Sequence, residues 1–208
     1  VAGRGPLVVL LHGFPEFWWT WREQIPRLAD AGYRVAALDL RGFGASDKPP
    51  GGHDPLTVCD DVAAVIRSLG ADGAVVVGHG LGGSIAWSMP GLHPTVTKGV
   101  ASLGMPHPSV FRSASWRLRR QRRANSYIRA MQTPFAPERQ LGGTRSVRRQ
   151  LRAWSGPDRS WLTSEVEERY EEMMSLPFAV VESFVMDGAE YDPASLVAAV
   201  RAVRDRGP

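Results

Sequence analysis

The chain has 208 residues, a hydrophobic content of 43% and a mean hydropathy of −0.19, enough apolar side chain for one packed domain and too much for a disordered one. A single cysteine, Cys59, excludes an internal disulfide and a cysteine-based metal cluster, and no apolar run reaches the roughly 18 residues that would cross a bilayer. The net charge of +4 is concentrated: twelve arginines and one acid, Glu138, lie between Arg112 and Arg152, and the rest of the chain is acidic on balance. No nucleic-acid-binding motif accompanies that block, so it reads as the solvated faces of helices rather than as a specific nucleic-acid site. No signal peptide is visible, and a cytoplasmic location is the expectation.

The first element, Leu7-Val8-Val9-Leu10-Leu11, has the unbroken aliphatic character of a strand buried on both faces. It runs into His12-Gly13-Phe14-Pro15-Glu16, and the aromatic cluster Phe17-Trp18-Trp19-Trp21 reads as core that leads into a helix with Ile25, Leu28 and Ala29 on one face. Gly32 closes that helix and Tyr33 to Leu38 is the next strand. A loop rich in Gly and Pro follows, from Asp39 to Pro55. Thr57 is then expected to cap a helix that runs to Leu69, with Asp60 and Asp61 in its first turn.

Ala74-Val75-Val76-Val77 heads directly into Gly78-His79-Gly80-Leu81-Gly82-Gly83. A buried strand, a tight glycine turn and a helix N-terminus form the context of the nucleophile elbow, G-x-S-x-G. Gly78 and Gly82 occupy the two glycine positions, and the residue between them that would carry the nucleophile is Gly80. It has no side chain. A helix from Gly83 to about His93 is expected to kink or end early at Pro90, and Val96 to Leu103 gives a fourth strand. Four strands alternating with helices imply a parallel sheet. Beyond Met105 only helical periodicity remains.

His12-Gly13-Phe14-Pro15-Glu16, Trp19-Thr20-Trp21-Arg22, Asp39-Leu40-Arg41-Gly42-Phe43-Gly44-Ala45-Ser46-Asp47-Lys48-Pro49 and the glycine elbow together resemble the epoxide-hydrolase branch of the α/β-hydrolase fold. The resemblance implies an α/β-hydrolase core over residues 1–106 and an inserted helical lid over 107–208. The two antiparallel strands that open the family's sheet, and the last core strands with the catalytic histidine and acid, are expected to lie outside this chain. The sheet would then have exposed edges at Val96–Leu103 and near Tyr33–Leu38.

In that family an elbow aspartate opens the epoxide to an ester, which a histidine-activated water hydrolyses. No cofactor or metal is implied. The resemblance assigns the oxyanion hole to the backbone amides of Phe14 and Leu81, with Pro15 in a cis turn, while His12 and His79 brace the surrounding backbone as buried motif residues. A lid tyrosine that donates to the epoxide oxygen matches Tyr127. The segment where the second such tyrosine would fall, Glu182 to Asp187, holds none, and Tyr191 is out of register. Haloalkane dehalogenases place Asn and Trp where Phe14 and Leu81 stand, so that branch is disfavoured.

Three functions follow as expectations. The first is an epoxide-hydrolase-like protein that cannot use the covalent route. The second is a non-catalytic member that holds a small apolar molecule under its lid, and the third is a longer form that activates water with a histidine.

Overall fold

The computed structural model describes residues 1–124 and 144–174. Four parallel strands form one sheet: β1 (Leu7–Leu11), β2 (Arg34–Leu38), β3 (Ala74–His79) and β4 (Thr97–Leu103), in the spatial order β2-β1-β3-β4. All five residues of β1 and all six of β3 are buried, as expected of the two central strands. Their register pairs Leu7 with Ala74 and Leu11 with Gly78, so the two strands end level with each other. This is the parallel sheet with flanking helices that the alternation of strands and helices in the sequence implied.

The side-chain alternation of β1 sorts the helices between the two faces. Val8 and Leu10 join Val35, Val75 and Val77 in a cluster completed by Trp21, Tyr33 and Leu28 of α1 (Gln24–Asp30). Leu7, Val9 and Leu11 face the other way. They pack with Val58, Cys59, Val62 and Ile66 of α2 (Pro55–Ser68) and with Ile85 and Met89 of α3 (Leu81–Leu92). The step from β1 to β2 runs in one direction across the sheet, whereas the later crossovers run in the other. Right-handed crossovers therefore place α1 on one face and α2 and α3 on the opposite one.

The two outer strands differ. Val35 of β2 exchanges two antiparallel backbone bonds with Ala2, at 2.8 and 2.9 Å. The outer edge of β4 has no strand partner among the described residues. Among the described residues four helices follow β4: α4 (Pro108–Arg117), α5 (Arg119–Ala124), α6 (Thr144–Trp154) and α7 (Ser164–Met174). Val147 and Leu151 of α6 and Val166 and Tyr170 of α7 close over Phe17. The aromatic cluster is core in three of its four residues, and divided: Trp21 packs on the sheet, Phe17 and Trp19 pack under α6 and α7, and Trp18 is 42% exposed, which corrects the expectation for that residue.

Three local expectations are corrected. Asp54, not Thr57, caps α2: its Oδ1 accepts the amides of Leu56 and Thr57 at 3.0 and 3.1 Å, with Pro55 at the first helical position where no N–H is needed. Asp60 and Asp61 consequently lie beyond the first turn. Asp61 holds the Arg41 guanidinium with two bonds of 2.6 and 2.7 Å, and Asp60 lies 2.9 Å from the His93 ring. Finally, α3 begins at Leu81 and runs through Pro90 to Leu92. Pro90 sits in the last turn, where its ring sacrifices a single helical bond, and the His93 amide still reaches the Met89 carbonyl at 2.7 Å.

Cys59 is buried between α2 and α3, with its thiol 3.8 Å from the Ile85 carbonyl and burial raising its pKa to about 11. A buried, protonated thiol does not react. Ellman's reagent is expected to find no accessible thiol in the native chain and one after denaturation; rapid native labelling would contradict this packing.

Candidate functional site

Sheet order locates the site before any residue is considered. The chain leaves β1 toward one edge and β3 toward the other, so their C-terminal ends flank the point where the winding reverses. In open α/β sheets that reversal opens a crevice for ligands. Here the loop after β1 is His12–Glu16 and the turn after β3 is Gly80.

Gly80 has φ 52° and ψ −114°, a left-handed conformation that side chains disfavour, and Leu81 opens α3 immediately afterwards. The sharp turn from β3 into α3 is therefore built on a residue with no side chain. Its sharpness depends on the flanking glycines. A Cβ on Gly78 would lie 2.0 Å from the Gly82 carbonyl oxygen, and one on Gly82 would lie 2.3 Å from that of Leu11. Helix α3 is pressed against the ends of β1 and β3 at distances only hydrogen side chains permit.

Two links hold the elbow to the loop after β1. The Gly82 amide donates to the His12 carbonyl at 3.1 Å. The other link is Glu16, whose Oε2 accepts the Gly13 amide at 3.1 Å and the His79 Nδ1–H at 2.9 Å, while Oε1 accepts the Thr20 hydroxyl at 3.2 Å. One carboxylate thus joins the residue before Phe14 to the residue before Gly80. Burial opposes its ionisation, but the His79 ring and these donors outweigh burial and lower its pKa. The motif contained Glu16, but sequence reasoning gave it no role. An acid inside an otherwise apolar turn was the available signal, because a buried carboxylate requires partners.

His12 is fully buried. The Leu40 amide donates to its Nε2 at 3.0 Å, so Nδ1 carries the proton and donates to the Gly13 carbonyl at 2.7 Å. It therefore ties the loop after β2 to the loop after β1. Phe14 is buried, with its ring edge-on to Phe43, and the Phe14–Pro15 peptide is cis. Leu81, as the first residue of α3, presents an N–H that has no intrahelical acceptor. The structure thus brings Gly80, Leu81, Gly13, Phe14, Pro15, His12 and His79 together at the C-terminal ends of β1 and β3. Tyr127, Tyr191 and the 182–187 segment lie outside the described residues.

The remaining histidines are tied up elsewhere: His53 contacts the Pro49 carbonyl, His93 meets Asp60, and His107 caps α4. Among the described residues no group of three or more His, Cys, Asp or Glu is placed to hold a metal ion, and no helix is long and apolar enough to cross a membrane.

Burial lowers the pKa of His12 from its usual 6.5. Below about pH 6.5 the unfolded chain binds a proton that the folded chain refuses, so stability is full above that pH and falls beneath it, by at most about 1.4 kcal/mol per pH unit for one group. Glu16 has linkage of the same sign in a lower window: its lowered pKa stabilises the fold above its usual 4.5, and that contribution is lost at lower pH. Urea midpoints should therefore begin to fall near pH 6.5 and continue falling below 4.5; a flat midpoint from neutrality to about pH 5 would contradict the buried neutral His12.

The family model for the alpha/beta hydrolase fold matches residues 6–181. This chain is an α/β-hydrolase. Relatives assign it to the epoxide-hydrolase-like branch. It is 42% identical over 144 residues to the AB hydrolase superfamily protein YfhM of Bacillus subtilis, covering 67% of this chain and 50% of that protein. To Epoxide hydrolase B of Mycobacterium tuberculosis it is 50% identical over 105 residues, or 50% of this chain and 30% of that one. The crystal structure of a Bacillus megaterium epoxide hydrolase in complex with an inhibitor superposes with a TM-score of 0.76 at 28% identity, covering 86% of this chain and 63% of that one. The chain spans half or less of the length of these two curated relatives.

Proposed function

We propose that this α/β-hydrolase keeps the binding frame of an epoxide hydrolase and lacks its covalent step. One observation carries the reading: Gly80 adopts elbow backbone geometry at the position where the family carries its nucleophile. Without an oxygen or sulfur at residue 80, no ester can form there, and the two-stage route has no first stage. The backbone part of the machinery does not depend on that side chain. The amides of Phe14 and Leu81 remain the proposed polarising pair, held by the Glu16–His79 and Gly82–His12 links.

The helices from residue 107 onward act as a lid in this reading, with Tyr127 supplying a hydroxyl donor above the crevice. Phe17, Trp19, Val166 and Tyr170 support it by seating α6 and α7 on the loop that follows the oxyanion turn. The ligand is a small apolar molecule with an electronegative oxygen for the donors, as an epoxide has, bound in the cytoplasm without a cofactor.

Equilibrium dialysis with a lipophilic epoxide such as stilbene oxide tests this reading. Saturable binding and recovery of the epoxide unchanged are expected. Diol formation above the buffer rate would overturn it in favour of direct water activation, and absence of saturable binding would remove the retained-frame half of the proposal.

A further inference from the structure

The arginine-rich helices after β4 divide into two groups. In α6 two arginines are paired with acids of α7: Arg152 Nε donates to Glu167 Oε1 at 2.6 Å, and Arg148 grips both oxygens of Glu171. Four arginines on and between α4 and α5 differ. No acid occurs anywhere from His107 to Ala124, and among the described residues Arg117, Arg119, Arg120 and Arg122 are exposed and make no ion pair.

Apolar side chains are exposed beside these cations. Val110 is 57% exposed and lies two turns before Arg117 on the same face of α4. Leu118, also 57% exposed, stands at the junction between the helices with arginine on either side of it, and the Arg122 amide bonds to its carbonyl. A helical segment that combines exposed aliphatic groups with an uncompensated row of arginines has the two signals that peripheral binding to a lipid surface needs. Arginine favours such a surface because its guanidinium pairs with phosphate oxygens while its stem lies along apolar material. A nucleic-acid backbone would reward the arginines equally but would gain nothing from Val110 and Leu118.

From this arrangement we infer that α4 and α5 form a docking face for an anionic phospholipid surface. The face stands independently of the inert elbow, although it would set the helices around the crevice against the phase in which an apolar ligand dissolves. Binding is peripheral: Leu118 and Val110 enter the interface, and the arginines remain at headgroup depth.

Co-sedimentation of the 208-residue chain with vesicles tests the inference. The chain should pellet with mixed phosphatidylglycerol–phosphatidylcholine vesicles but not with phosphatidylcholine alone, and should be released as salt is raised. The combined substitution R119Q, R120Q and R122Q should weaken binding by about a hundred-fold, at roughly a several-fold loss per arginine near the surface. A second variant, Leu118→Ser with Val110→Ser, should also weaken vesicle binding but leave retention on heparin unchanged. All five positions are exposed, so circular dichroism and melting should match the parent chain. Equal binding to neutral vesicles, no vesicle binding at all, or vesicle binding indifferent to the serine variant would each overturn the lipid assignment; the last would mark a general polyanion site.

Discussion

Gly82→Ala is expected to cost the chain its cooperative fold or lower its melting temperature by roughly ten degrees. The added Cβ would sit 2.3 Å from the Leu11 carbonyl oxygen, 2.6 Å from its carbon and 2.7 Å from the His12 oxygen. All three are backbone atoms of a central strand and its loop, so none can rotate away. Relief requires α3 to lift from the sheet, which breaks the Gly82–His12 bond and opens the cavity around Ile85 and Met89. Overpacking of this kind costs about 3 kcal/mol or more, against a net stability of about 5–15 kcal/mol. At roughly 2–4 °C per kcal/mol for a chain of this size, the shift is easily read by differential scanning calorimetry. Gly91→Ala is the matched control. A Cβ there meets nothing within 4 Å in the same helix, so alanine should be neutral or stabilise by up to about 1 kcal/mol. Equal melting of the two variants would contradict the close approach of α3 to the sheet.

The second large effect is expected at Gly80. Gly80→Ala forces a side chain into φ 52° and should cost about 1–3 kcal/mol. Gly80→Asp carries the same backbone cost but places a carboxylate at the N-terminus of α3, where the helix dipole returns about 0.3–1 kcal/mol. The aspartate variant should therefore melt slightly above the alanine variant and below the parent. Aspartate also restores a nucleophile in the elbow, so the variant should form an ester with an epoxide that the parent does not form. If both variants melted above the parent, residue 80 would not hold the left-handed conformation described here.

Much of this was legible because the informative residues are local. A run such as Leu7–Leu11 or Ala74–Val77 declares a buried strand by its aliphatic continuity, and the glycines at 78 and 82 reveal the elbow because close packing admits nothing larger. Helix termini were less legible. Thr57 and Asp54 are both acceptable caps, and only the Pro55 adjacent to Asp54 favoured the true one; Pro90 was overweighted because a proline in the last turn removes just one bond. The role of Glu16 was not legible at all. Its partners Gly13, Thr20 and His79 lie 3, 4 and 63 residues away, and the longest of these separations is fixed by the parallel pairing of β1 with β3, which no local pattern records. The same holds for sheet order, which places the elbow at the reversal of winding.

The claim at the centre of this account is that residue 80 offers no atom for covalent catalysis. Intact-protein mass spectrometry after quenching the chain with excess epoxide addresses it most directly. The account predicts an unchanged mass for the parent chain at every quench time. A mass increase equal to one epoxide, mapped by peptide digestion to the 78–84 segment, would contradict it.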